Sequence, residues 1–109
     1  MAGHFEVESR PDGQFVFSLK VGTEAILTSE AYTTKAACMN GIESVKKNAT
    51  VDKQYRRTEA PDGSFRFALD ATNGQAIGAS EYYETALKRD EAIEFLMKNA
   101  LDAAVKDLT

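Results

Sequence analysis

Residues 11–19 can be laid on residues 61–69 with six of nine positions identical: Pro11/Pro61, Asp12/Asp62, Gly13/Gly63, Phe15/Phe65, Phe17/Phe67 and Leu19/Leu69. With one residue added to the second copy, the match continues over residues 22–49. There Ala25, Ile26, Ser29, Glu30, Tyr32, Thr34, Ile42, Glu43, Lys47, Asn48 and Ala49 coincide with partners fifty-one places later. Seventeen of thirty-seven positions agree across one single-residue indel, so both copies should share one backbone. The expected organisation is a single domain over residues 1–109, with repeat one at about 4–52 and repeat two at about 53–109. No stretch rich in Gly, Pro or Ser separates the halves, which favours a shared core.

Each copy reads as strands followed by a helix. Phe5-Glu6-Val7 and Tyr55-Arg56-Arg57 lead into Pro-Asp-Gly, where proline presets φ and glycine supplies φ > 0, so a tight hairpin is expected. Next, Phe15, Phe17 and Leu19 alternate with Val16, Ser18 and Lys20, and Phe65, Phe67 and Leu69 with Arg66, Ala68 and Asp70. That period of two makes one sheet face aromatic core. Asn73-Gly74 signals a second hairpin, with the less ideal Gly22-Thr23 in the first copy, before short third strands at residues 25–28 and 76–79. The period then becomes helical: Ala36, Met39, Ile42 and Val45 in copy one, Leu87, Ile93, Leu96 and Ala100 in copy two. Thr34 and Thr85 suit the N-caps. At the first helix's end, Lys46-Lys47 suit the dipole and Asn48 suits a left-handed cap. Aligning Asp52 with Asp102 sets Tyr55 opposite Val105, so the segment after helix one is expected to close copy one and open copy two at once.

Taken in order, Asp62-Gly63, Phe65-Arg66-Phe67, Asn73-Gly74-Gln75, Ser80-Glu81-x-Tyr83, Ile42-Glu43-Ser44-Val45-Lys46-Lys47-Asn48-Ala49 and Val105-Lys106-Asp107-Leu108-Thr109 cover nearly the whole chain. On these motifs the sequence resembles the YegP-like family of small bacterial proteins. The resemblance implies an α+β fold of tandem β-β-β-α-β repeats with pseudo-twofold symmetry. It further implies one antiparallel sheet, exchanged closing strands and two helices packed on one face, and it brings no established activity. Copy one departs from the pattern by having Gly22-Thr23-Glu24 for the Asn-Gly-Gln turn, and the second helix is more charged than the family's Ala/Gly-rich version. Gly41 stands where copy two has Ala92, which marks a place where helix and sheet come close.

The chemistry on offer is limited. His4 is the single histidine and is expected near a frayed terminus, which removes a two-histidine metal site and argues against a triad. Cys38, the single cysteine, cannot form an internal disulfide; it reads as a semi-buried, inert thiol and points to a reducing, cytoplasmic setting. There is no phosphate-cradling glycine motif, Walker loop or zinc spacing, so no cofactor is expected. No apolar run is long enough to span a bilayer, and residues 1–8 lack the makeup of a signal peptide, so neither a membrane nor a cleaved leader is expected. A net charge of −4 argues against bulk attraction to phosphate backbones.

Three candidate surfaces remain. Ser29-Glu30 with Tyr32, and Ser80-Glu81 with Tyr83, fall between the third strand and the helix, where they either contact a ligand or close a turn. An enzyme built on them would lack an evident base. Lys53, Arg56, Arg57 and Arg66, with Tyr55 among them, form the one basic neighbourhood and offer an alternative reading as a single-stranded nucleic-acid surface. Asn73, in the turn that occurs once, joins the candidate contacts. The uncovered sheet face, with Val16, Ser18, Arg66 and Ala68, and the sheet edges suit a protein partner. The reading that follows is a non-enzymatic binding or interaction module for an unidentified protein or small ligand, monomeric or weakly dimeric.

Overall fold

A computed structural model describes residues 3–109. Its elements run β1 (His4–Ser9), β2 (Phe15–Val21), β3 (Glu24–Ser29), α1 (Lys35–Asn48), β4 (Tyr55–Glu59), β5 (Phe65–Asp70), β6 (Ala76–Ala79), α2 (Ala86–Asn99) and β7 (Ala104–Asp107), with a 3-10 turn (Asp52–Gln54) before β4. The strands make one sheet in the order β4-β5-β6-β3-β2-β1-β7.

The local devices repeat. Asp12 and Asp62 each accept, through Oδ1, the backbone N–H two residues on at 3.0 Å, and Gly13 and Gly63 take φ of +85° and +87° to turn the hairpin. Thr34 and Thr85 cap their helices as expected, each Oγ1 accepting at 3.1 Å from Ala37 N–H and Lys88 N–H. Asn48 is not a left-handed cap: it is the last residue of α1, and its amide reaches back to the Ser44 carbonyl at 2.8 Å, as Asn99 does to Phe95 at 3.0 Å. The cap position passes to Ala49 and Ala100, both in right-handed helical conformation.

Phe5, Val7, Phe17 and Leu19 from copy one and Tyr55, Phe67 and Leu69 from copy two enter one core cluster with the inner faces of α1 and α2. An edge-on aromatic pair recurs as Phe5–Phe17 and Tyr55–Phe67, with ring centroids 5.9 and 5.8 Å apart. Phe15 and Phe65 are half-buried rather than core: Phe15 packs against the margin of the cluster, and the Phe65 ring lies 5.4 Å beneath the Arg89 guanidinium. The helix faces also differ from the expected set. Cys38, Gly41, Ile42 and Val45 are buried in α1 and Ile93 and Leu96 in α2, whereas Ala36, Met39 and Leu87 face solvent. Burying Gly41 turns the stripe by one position, because α1 lies on Tyr32 and Phe17 at that point.

The central junction pairs Thr28 of β3 with Ala79 of β6, which are equivalent residues of the two copies, so the pseudo-twofold passes there. Five of the six junctions are antiparallel; β7 joins β1 in parallel, with Phe5 opposite Val105 and Val7 opposite Asp107. A strand reached through a helix can enter in the same direction as its neighbour, which a hairpin cannot allow. The exchange is real but one-sided. The closing strand of copy two, β7, covers β1 of copy one. The segment after α1 becomes β4 itself and pairs only with β5. Among the described residues, the edge of copy one is therefore covered and that of copy two is open. No helix is long and apolar enough to cross a membrane among the described residues.

Candidate functional site

The repeated Ser-Glu-x-Tyr motif divides into structural and accessible parts. Ser29 and Ser80 are buried, not presented to solvent. Ser29 Oγ accepts the Phe17 N–H at 2.9 Å and donates to the Glu30 carbonyl at 2.8 Å; Ser80 does the same with Phe67 at 3.0 Å and Glu81 at 2.7 Å. Each hydroxyl thus replaces the ladder partner that the chain loses on leaving the strand. Tyr32 and Tyr83 add a two-bond bridge to the start of the second strand, Tyr32 to Phe15 at 2.7 and 2.8 Å and Tyr83 to Phe65 at 2.8 and 2.7 Å. Burial raises the Tyr32 phenol above its ordinary value, and burial with Glu24 and Glu81 nearby pushes Tyr83 up to about 12, so both remain protonated donors at neutral pH. Glu30 and Glu81 are left exposed.

The basic neighbourhood is largely occupied by its own carboxylates. Arg56 forks onto Asp70 at 2.9 and 3.1 Å, and Arg57 bonds Asp52 at 2.8 Å with Asp90 at 3.6 Å. Arg66 lies 5.1 Å over the Tyr82 ring and donates to the Ser80 carbonyl at 3.1 Å. Tyr55 is core, its hydroxyl donating to the Ala49 carbonyl at 2.7 Å. His4 is an ordered member of β1 and bonds Glu6 at 2.7 Å, because pairing with β2 and β7 holds the strand down. Cys38 is fully buried, and burial pushes its thiol up, as an inert core residue requires. No group of three or more metal-ligating side chains comes together among the described residues.

What the sequence did not reveal is a groove built from both copies. It lies between α1 and the β5–β6 hairpin, has a volume near 560 Å³, and is lined by Glu30, Tyr32, Ala37, Asn40, Gly41 and Ser44 from copy one with Ala71, Asn73, Gln75, Ala76 and Ile77 from copy two. Asn73 Oδ1 accepts the Gln75 N–H at 3.0 Å, fixing the turn and leaving its amide hydrogens for another partner. Among the described residues, the lining offers carboxamides, hydroxyls and one carboxylate, and no cation. At the equivalent place in copy two, Ala92 and Phe95 stand for Gly41 and Ser44, and the Phe95 ring packs on the core beside Gly3. Of the candidate contacts, Glu30, Tyr32 and Asn73 come together here. Glu81 and Tyr83 sit at the corresponding place of the other copy, and Arg56 and Arg66 line a second depression that borders the groove at Glu30 and Ala76. Asn40 and Ser44 carry no repeat signal of their own, and only the divergence between aligned helix positions hints at them; Gln75 is visible only as part of the Asn73-Gly74-Gln75 turn that copy one lacks.

Fold and site together define a two-repeat α+β protein whose copies share one sheet and enclose one polar groove. The chain belongs to the family of the domain of unknown function DUF1508, whose model matches residues 11–55 and 60–107. It is 48% identical over 110 residues to a UPF0339 protein of Bordetella pertussis, covering 100% of this chain and 98% of that one. It is 44% identical to the UPF0339 protein YegP of Escherichia coli K12, with 100% of each covered. Two solution NMR structures share the fold. That of a UPF0339 protein from Shewanella oneidensis has a TM-score of 0.93 and 42% identity, covering 100% of this chain and 93% of that one. That of YegP from E. coli, described as a protein of unknown function, has a TM-score of 0.92 and 44% identity, covering 100% and 95%.

Proposed function

We propose that the protein is a non-enzymatic binding module whose ligand seat is the groove between α1 and the β5–β6 hairpin. The observation that supports this is the divergence of the two equivalent helix faces: one keeps Gly41 and Ser44 beneath an open, polar groove, and the other carries Ala92 and Phe95. A lining with one carboxylate and no cation suits a small polar ligand that is neutral or positively charged, held by hydrogen bonds from Asn40, Asn73, Gln75 and the Tyr32 phenol. Such a ligand is bound and released unchanged, since the groove holds no nucleophile paired with a base.

Amide NMR spectra recorded during titration with neutral and cationic polar metabolites test the reading. Shifts gathered over residues 37–44 and 71–77 are expected, with the compound recovered intact. Ser44→Phe, which brings into α1 the side chain that α2 carries at Phe95, should abolish them while leaving the remaining spectrum in place. Shifts that map elsewhere, or binding unaffected by Ser44→Phe, would remove the groove from consideration.

A further inference from the structure

The sheet offers a template for its own open edge. β7 adds to β1 in parallel, placing Val105 beside Phe5, Lys106 beside Glu6 and Asp107 beside Val7, and Leu108 N–H continues the ladder to the Val7 carbonyl at 2.9 Å. Asp107 is clasped by Lys35 at the start of α1. The equivalents of Phe5, Glu6 and Val7 in copy two are Tyr55, Arg56 and Arg57, on an edge that carries no strand, and the equivalent of Lys35 is Ala86. Two changes of charge follow. The strand residue beside the Lys106 position has reversed from Glu6, which is paired with Lys20, to Arg56, which is paired with Asp70. The cation that meets the Asp107 position has moved from helix to strand, from Lys35 to Arg57.

We infer that the open edge of β4 docks an extended segment of a partner protein that pairs in parallel and carries an apolar residue followed by two acidic ones. The Tyr55 N–H is spent on the Asp52 carbonyl in the turn before the strand, but the Tyr55 carbonyl and the Arg57 backbone groups, counterparts of those that Phe5 and Val7 turn toward β7, face the open edge. Strand addition there supplies the affinity while side chains set the choice. Arg57 has five N–H donors, and its one hydrogen bond, to Asp52, with the ion pair to Asp90 leaves enough for one further carboxylate. Lys53, exposed before the strand, adds to the positive charge. The register of the chain's own β7 agrees with this choice: Lys106 stands opposite Glu6 on β1, whereas on β4 it would stand opposite Arg56.

The test uses two labelled peptides spanning residues 102–109, one native and one carrying Lys106→Glu, with the full-length protein in fluorescence polarisation and amide NMR. The Lys106→Glu peptide should bind several-fold tighter than the native one, shift the amides of residues 55–59, and weaken as salt is raised. Arg57→Glu should abolish binding. Arg56→Glu, which restores the charge of the β1 edge, should reverse the preference toward the native peptide, so the outcome does not depend on one variant. Equal affinity of the two peptides, shifts centred on β1 in place of β4, or no binding by either at millimolar concentration would overturn the inference.

Discussion

Ser29 and Ser80 stand where a strand ends and a loop begins, and one buried hydroxyl at each place satisfies one donor and one acceptor of the main chain. Removing it strands the Phe17 N–H and the Glu30 carbonyl, or their equivalents, away from water. Ser29→Ala and Ser80→Ala should each destabilise by about 1–3 kcal/mol, read as a lower urea midpoint with an unchanged slope. The neighbouring glutamates should not behave this way. Both are exposed, and Glu81→Gln should leave the midpoint nearly where it was. In the sequence the Ser-Glu pair looks like a unit because both members repeat. Depth separates them, and depth is set by alternation along a chain that is leaving the sheet.

Among the elements, α1 comes close to the sheet at Gly41. A Cβ there would run into the Tyr32 phenol and lie 2.9 Å from the Phe17 ring, which itself stacks on Tyr32 at 6.3 Å. Alanine is the better helix former by about 1 kcal/mol. The collision should nevertheless win, and Gly41→Ala is expected to lower stability by about 1–3 kcal/mol in a denaturant melt as Tyr32 is pushed toward the groove. In α2, where Ala92 already stands, exchanging it for glycine should destabilise through the helix alone. The mismatch at this aligned position is legible in the chain itself. That it opens a groove is not, because the far wall comes from the β5–β6 hairpin of the other copy.

At the scale of the molecule, the two copies are tied by the β1–β7 junction and by the contact between Lys35 and Asp107. The Lys35 ammonium, with help from Thr109, holds the Asp107 carboxyl down to about 2, from an ordinary 3.8. A carboxylate depressed in the folded state stabilises it above the ordinary value, and that contribution is lost as pH falls through the folded one. Asp107 is solvent-exposed, so the effect is modest and screened by salt. Urea midpoints compared between pH 7, pH 4 and pH 2 should show the protein losing more than Asp107→Asn over the lower interval. Identical losses for both would mean that the clasp does not hold in solution.

The alternating phenylalanines, paired turns, capping threonines and duplicated register were written in the chain, because each rests on neighbours within a few residues and recurs fifty or fifty-one places on. The same local signals could not say that β7 would run parallel to β1, that β4 would have no cover, or which exposed positions would share a groove. Those depend on contacts between copies, where one strand can satisfy only one edge and where the Glu6–Lys20 pair of one edge is reversed in sign as Arg56–Asp70 on the other. Duplication dictated two similar halves. The packing of one chain into one sheet made them unequal.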